Sequence, residues 1–350
     1  MYVKPKKSLG QHFLKDEKIA RRIVDSLILP SEEQQSGVKT RVLEIGPGTG
    51  VLTKFLIEDK RVDLYAAEID NESIEFLKIN YPSLGEKLLE GDVLRMNLKA
   101  LIPEEFHVIG NFPYNISSQI FFKVLDNKEN VPQVVCMIQK EVAERLASPP
   151  GKKAYGILSV LLQAWYDIEY LFTVDENSFT PPPKVKSAVI RITRNSRTAL
   201  ECDESLFKAV IKTSFNQRRK AIRNSIKQLL EGRPAPDSYL FGQRPEQLSV
   251  EEFIAGNNSY YRGDKQAPEY IVASKLHWER LVPVQSKNHS QNHQNTNCSA
   301  CKRKCSSLGK KLGEDNIFFG AKSFLDTNKV CTFLYRNEHN DGYTKSANQY

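Results

Sequence analysis

The sequence predicts an α/β protein built on a doubly wound parallel sheet, followed by a small all-helical segment and a long polar tail. Short aliphatic runs at 41–45, 62–68, 87–90, 105–110 and 132–138 alternate with stretches of helical spacing. A glycine-rich turn directly follows the first run, and beyond Ala199 apolar residues recur only at helical spacing.

In chain order, Glu17 to Leu29 places Ile19, Ile23, Val24, Leu27 and Ile28 on one helical face, which predicts a lid helix before the first strand. The strand ending at Ile45 runs into Gly46-Pro47-Gly48-Thr49-Gly50 and then into an amphipathic stretch with Leu52, Phe55, Leu56 and Ile57. Glycines are needed where backbone must bend sharply and approach a ligand. Glu68 follows Gly46 by 22 residues at the end of the second run, where a carboxylate can accept both hydroxyls of a ribose. Asp92 ends the third and suits an adenine amine. A nicotinamide enzyme would show Gly-x-Gly-x-x-Gly; this turn reads Gly46-x-Gly48-x-Gly50, which points instead to S-adenosylmethionine. Two last strands, near 166–172 and 187–192, are expected to pair antiparallel across a loop that holds Phe179.

At 350 residues and 40% hydrophobic content, the chain can bury a sizeable core in two domains plus a tail. A net charge of +8 suits a polyanionic partner. The start, Met1 to Lys7, lacks the apolar stretch of a secretory signal, and no run reaches the roughly 18 apolar residues of a membrane span. The expectation is a cytoplasmic monomer. Six cysteines, with Cys136 in an apolar strand and Cys202 isolated, argue against a disulfide scaffold.

The chemistry concentrates at Asn111-Phe112-Pro113-Tyr114, directly after Val108-Ile109-Gly110. An aromatic amine is a poor nucleophile because its lone pair is delocalised. A catalyst must therefore hold the N6 amine of adenine as it becomes pyramidal. The Asn111 side-chain oxygen and the Phe112 carbonyl can accept the two amine hydrogens, Pro113 fixes the backbone, and Tyr114 stacks on the ring. Alone, such a tetrapeptide reads as an ordinary turn; the glycine turn and strand-end carboxylates upstream favour the chemistry.

Gly10-Gln11-His12-Phe13-Leu14, Glu44-Ile45-Gly46-Pro47-Gly48, Glu68-Ile69-Asp70, Gly91-Asp92, Asn111 to Ser117 and Phe179-x-Pro181-Pro182-Pro183-Lys184-Val185 stand in the order of a known family. Between about Lys4 and Asn258 the chain resembles the bacterial small-subunit ribosomal RNA adenine dimethyltransferases. That resemblance implies a Rossmann-like methyltransferase domain over 1–195, a helical RNA-binding domain over 196–258, and an extension over 259–350 outside the family. It implies transfer of two methyl groups from S-adenosylmethionine to each of two adjacent adenosines near the 3′ end of small-subunit rRNA, in an immature subunit. The cofactor contacts it implies are His12, Leu14, Gly46, Glu68, Asp92 and Asn111, and it places Phe179 on the face of the target adenine opposite Tyr114. His12 stands where many relatives carry Asn, and Phe112 where Leu or Ile is usual.

In the helical segment, Ile211, Phe215, Ile222 and Ile226 are expected to bury one face and leave Arg218, Arg219, Lys220 and Arg223 as a basic surface for RNA. Lys4, Lys6, Lys7, Lys184 and Lys186 are further candidates. A charge run is usually a solvated face, and only the family match favours RNA. The polar stretch 285–297 reads as a linker. The following Cys298-x2-Cys301-x3-Cys305, with His289, His293 and Cys331, has zinc-ligand spacing but lacks an assured fourth ligand, so a basic tail without metal is the reading adopted. Two other functions fit the fold: methylation of one adenosine of large-subunit rRNA, as in antibiotic-resistance enzymes, and a non-catalytic assembly or transcription factor. The strings at 179–185 and 215–224 favour the small-subunit enzyme, and the intact set of strand-end residues argues against a decayed site.

Overall fold

The computed structural model describes residues 3–31, 38–230 and 234–261. The linker at 285–297 and the cysteine cluster from Cys298 to Cys331 lie outside them.

The chain opens with β1 (Phe13–Leu14) and α1 (Glu17–Val24), whose first turn is capped by the Asp16 carboxylate on the Lys18 and Ile19 amides. Then follow β2 (Thr40–Ile45), α2 (Thr53–Glu58), β3 (Val62–Glu68), α3 (Asn71–Asn80), β4 (Leu88–Glu90), α4 (Leu98–Leu101), β5 (His107–Asn111), α5 (Ser117–Asp126), β6 (Gln133–Gln139), α6 (Lys140–Leu146), α7 (Ile157–Gln163), β7 (Tyr166–Val174), β8 (Phe179–Thr180) and β9 (Ser187–Arg194). The main sheet has the order β4-β3-β2-β5-β6-β9-β7. Its first five strands are parallel; β9 joins β6 and β7 antiparallel, as the sequence predicted for the last pair.

Side chains alternate across the sheet with period two, so each parallel strand, covered on both faces, reads as a continuous apolar run. Leu43, Val134 and Ile190 face one core with Phe121 of α5 and Val160 of α7. Val42, Val135 and Val189 face the other with Ile23 of α1, Leu56 of α2 and Leu77 of α3. The first core continues into the helical segment, α8 (Glu204–Asn216), α9 (Ile222–Ser225) and α10 (Val250–Tyr261), through Phe207, Ile211, Phe253 and Ile254.

Two expectations need correction. The helix predicted to reach Leu29 ends at Val24, which takes Ile28 off the apolar face and leaves it 55% exposed. Since Ala20, Ile23 and Val24 are packed into a core layer of the sheet, α1 is not a lid. The basic surface is also not one helical face. α8 stops at Asn216, and residues 217–220 form a turn before the four-residue α9. Ile211, Phe215, Ile222 and Ile226 are buried as expected, but from two short helices at a corner.

Candidate active site

Parallel pairing brings the expected site residues to one edge. Glu44 lies opposite Ile109, Ile45 opposite Ala67, and Glu68 opposite Glu90, so β4, β3, β2 and β5 end level with one another. The turn at Gly46, Glu68, Asp92 and Asn111 thus line the carboxyl ends of four adjacent strands, the crevice in which open α/β sheets bind ligands.

Gly46, Gly48 and Gly50 all have positive φ. Gly48 is also sterically confined: a Cβ there would stand 2.8 Å from the Phe13 ring, so Phe13 fills the space a side chain would need. The buried Glu68 carboxylate accepts the amides of Gly48 (3.0 Å), Ile69 and Asp70 (2.9 Å each), tying the glycine turn to the end of β3. Burial raises its pKa, and these three amides oppose the rise. Glu44, 2% exposed, accepts the Thr53 hydroxyl at 2.7 Å. Burial pushes its pKa up to about 8; the Thr53 bond opposes this and the Glu68 charge adds to it. Asp92 accepts the Leu94 amide at 3.0 Å and meets the Arg95 guanidinium at 3.5 Å. Ile69, which residue-by-residue reading passed over, leaves an apolar side chain 49% exposed beside Glu68. Its signal was an aliphatic residue between two acids at a strand end.

Residues 6–14 strap the site. Lys6 pairs with Asp70 and Glu72, and its backbone amide donates to Gln11 at 2.7 Å. Gly10, at φ 65°, turns the chain beside Asn115. β1 then pairs antiparallel with β8, Leu14 opposite Phe179. The Leu14 side chain is consumed by this packing, leaving its backbone as the part able to meet a ligand. Between these anchors the Asn111 amide donates to the His12 carbonyl at 2.9 Å. The His12 ring stacks on Tyr114 with centroids 5.5 Å apart at 27°, and its Nδ1 is 2.8 Å from the Pro181 carbonyl.

The Tyr114 hydroxyl is bonded to Ser187, and burial raises its pKa against that bond. Phe112 is buried edge-on against Phe121 and donates its amide to Met137 at 3.0 Å. A Cβ on Gly110 would stand 2.5 Å from the Ile45 carbonyl oxygen and 3.1 Å from the Phe112 ring, so only glycine fits between β2 and this ring. Phe179 departs from expectation. At 1% exposure it is packed with Leu14, Val174 and Val189, and neither face is open to a base; it is a core ring bracing the proline loop.

The four basic candidates of the helical segment lie on the 217–220 turn and α9. Arg218 is held by Glu246 at 3.4 Å, Lys220 by Gln217 at 2.9 Å, and Arg223 donates to the Phe241 carbonyl at 3.2 Å. Arg219 is exposed and makes no hydrogen bond or ion pair among the described residues.

A Rossmann-like sheet with a glycine turn, two strand-end carboxylates and an Asn-x-Pro-Tyr segment at one edge defines a methyltransferase of the nucleotide-cofactor class. Residues 3–239 match the family model described as ribosomal RNA adenine dimethylase, and the chain belongs to that family. The ribosomal RNA small subunit methyltransferase A of Parabacteroides distasonis is 60% identical over 254 residues, covering 72% of this chain and 92% of that protein. Its namesake in Bacteroides thetaiotaomicron is 56% identical over 267 residues, covering 76% and 97%. Among solved structures, a dimethyladenosine transferase from Plasmodium falciparum superposes with TM-score 0.57 at 23% identity, covering 70% of this chain and 96% of that one. The 23S rRNA methyltransferase ErmE gives 0.52 at 24%, covering 70% and 99%. Both share the fold.

Proposed function

We propose that this protein transfers methyl groups from S-adenosylmethionine to the N6 amines of two adjacent adenosines near the 3′ end of small-subunit rRNA, acting as a monomer on an immature subunit. The observation that carries the reading is the Asn111 amide donating to the His12 carbonyl, which leaves Oδ1 to accept from the substrate.

The donor set fits the cofactor. Glu68 offers its carboxylate to a ribose, Asp92 to an adenine amine, the Gly46 turn a backbone without side chains, and Ile69 an apolar face. When bound, S-adenosylmethionine supplies an electrophilic methyl group on a sulfonium. Asn111 Oδ1 and the Phe112 carbonyl hold the two amine hydrogens, which directs the nitrogen lone pair out of the ring plane. Tyr114 stacks on the base, contributing about 1 to 3 kcal/mol toward the cost of unstacking it. The proton leaves to water once the nitrogen is cationic, so no side-chain base is needed. After the first transfer one N–H remains, and one of the two acceptors suffices for the second.

Arg219 and Lys220 at the corner between α8 and α9 supply phosphate contacts. The test is transfer of labelled methyl groups to immature small subunits and to large-subunit rRNA, with modified nucleotides mapped. Dimethyladenosine at adjacent small-subunit positions is expected. Label on large-subunit rRNA would select a resistance-type enzyme, and label on neither would select a binding factor.

A further inference from the structure

We propose that His12 is a base-site residue: its imidazole covers the face of Tyr114 while no target is present, and the incoming adenine displaces it. The inference rests on the function proposed above and assigns this side chain a part in it other than holding the cofactor.

Two contacts fix the ring and a third fixes its backbone. It stacks on Tyr114 at 5.5 Å and 27°, the arrangement an adenine would take on the same phenol. Its Nδ1 lies 2.8 Å from the Pro181 carbonyl, so in the neutral ring that nitrogen carries the hydrogen and donates. Its backbone carbonyl accepts the Asn111 amide at 2.9 Å. The ring thereby spans the Asn111–Tyr114 segment and the proline loop. It has spent Nδ1 on protein, leaving Nε2 alone for any ligand.

The placement explains two other features. Phe179 has no open face, and the ring that stacks on Tyr114 is that of His12 instead. The strap is anchored on either side of His12, by Lys6 on Asp70 before it and by the pairing of Leu14 with Phe179 after it. Swinging the ring off Tyr114 therefore need not release the glycine turn, against which Phe13 is packed. Aromatic stacking is tolerant of what stacks, so an imidazole and an adenine compete for one surface.

The consequence is a penalty on base capture. Without the ring, Tyr114 is exposed in advance and the target binds more readily, by about two- to tenfold, the range of one ring-on-ring contact. The experiment compares wild type, His12→Ala and His12→Phe in methyl transfer to immature small subunits, with S-adenosylmethionine affinity measured separately by calorimetry without RNA. At saturating S-adenosylmethionine, His12→Ala should lower KM for the subunit by that factor, and His12→Phe, which keeps a stacking ring, should restore the wild-type KM. Weaker cofactor binding in both variants with an unaltered KM would overturn the proposal and make His12 a cofactor ligand. A change in kcat without one in KM would also overturn it. Absence of transfer by wild type would instead count against the function itself.

Discussion

The Asn111 side-chain amide donates to the backbone carbonyl of His12 at 2.9 Å, which fixes the rotamer of the residue on which the proposed chemistry turns. The partner is main chain on a strap held at both ends, so the amide cannot flip without losing the bond and facing one oxygen with another. Asn111→Ala should lower methyl transfer by about 100-fold or more, the usual cost of removing one transition-state hydrogen bond, with RNA binding retained. Asn111→Asp should not rescue it, because a carboxylate would meet the His12 carbonyl without a hydrogen between them. Near-normal single-turnover rates in either variant would refute the assignment.

Glu68 supports the glycine turn through Gly48 while presenting its carboxylate at the edge. Glu68→Ala should weaken S-adenosylmethionine binding by about tenfold or more, measured by calorimetry, since it removes a charged hydrogen-bond acceptor. Unchanged affinity would separate the turn-bracing role from ligand binding.

Glu44 makes stability depend on pH. Its native pKa is raised from 4.5 to about 8, chiefly by burial. Between those values the folded protein keeps a proton that the unfolded chain has lost, so this contribution to stability is full below pH 4.5 and declines as pH rises toward about 8. Urea unfolding across this range should show the decline, on the order of a few kcal/mol, and Glu44→Gln should flatten it. An equal slope in the variant would show that other groups cause it.

Phe179 and Tyr114 should separate stability from activity. Phe179→Ala empties a core position and should cost about 3 to 5 kcal/mol of unfolding free energy. Tyr114→Ala removes a stacking surface and should lower transfer by about tenfold or more. A Phe179 variant of normal stability with poor transfer would mean that the ring turns outward to meet the base.

Of the basic residues, Arg219 and Lys220 are the exposed ones on the turn. Neutralising both should reduce the slope of log affinity for rRNA against log salt by roughly 1.4 to 1.8, from 0.7 to 0.9 for each phosphate that is no longer paired with a cation. No change in slope would remove this corner from the RNA interface.

The sheet was legible because parallel strands covered on both faces are written as uninterrupted aliphatic runs, as in 41–45 and 132–138. Gly46, Glu68, Asp92 and Asn111 were legible as candidate site residues because each ends a strand or lies within two residues of its end, and parallel pairing brings strand ends together. Helix ends were less so. Nothing local marks the stop at Val24, because Leu27 and Ile28 continue the apolar period; tertiary packing, which takes Leu27 and leaves Ile28 in solvent, settles the matter. The break after Asn216 is similar: the 215–226 string keeps helical spacing, but the chain turns a corner at 217–220.

The sequence by itself determined the class of sheet, the edge at which the site lies and the residue types that meet there, because those follow from period, turn chemistry and strand ends. Only the tertiary structure decided which way the aromatic side chains face. Phe179 lies two residues before the proline run and His12 far upstream of it, yet the pairing of β1 with β8 buries the first and lays the second on Tyr114. The pairing joins residues more than 160 positions apart, and no local pattern encodes a contact whose energy comes from burying two distant segments together.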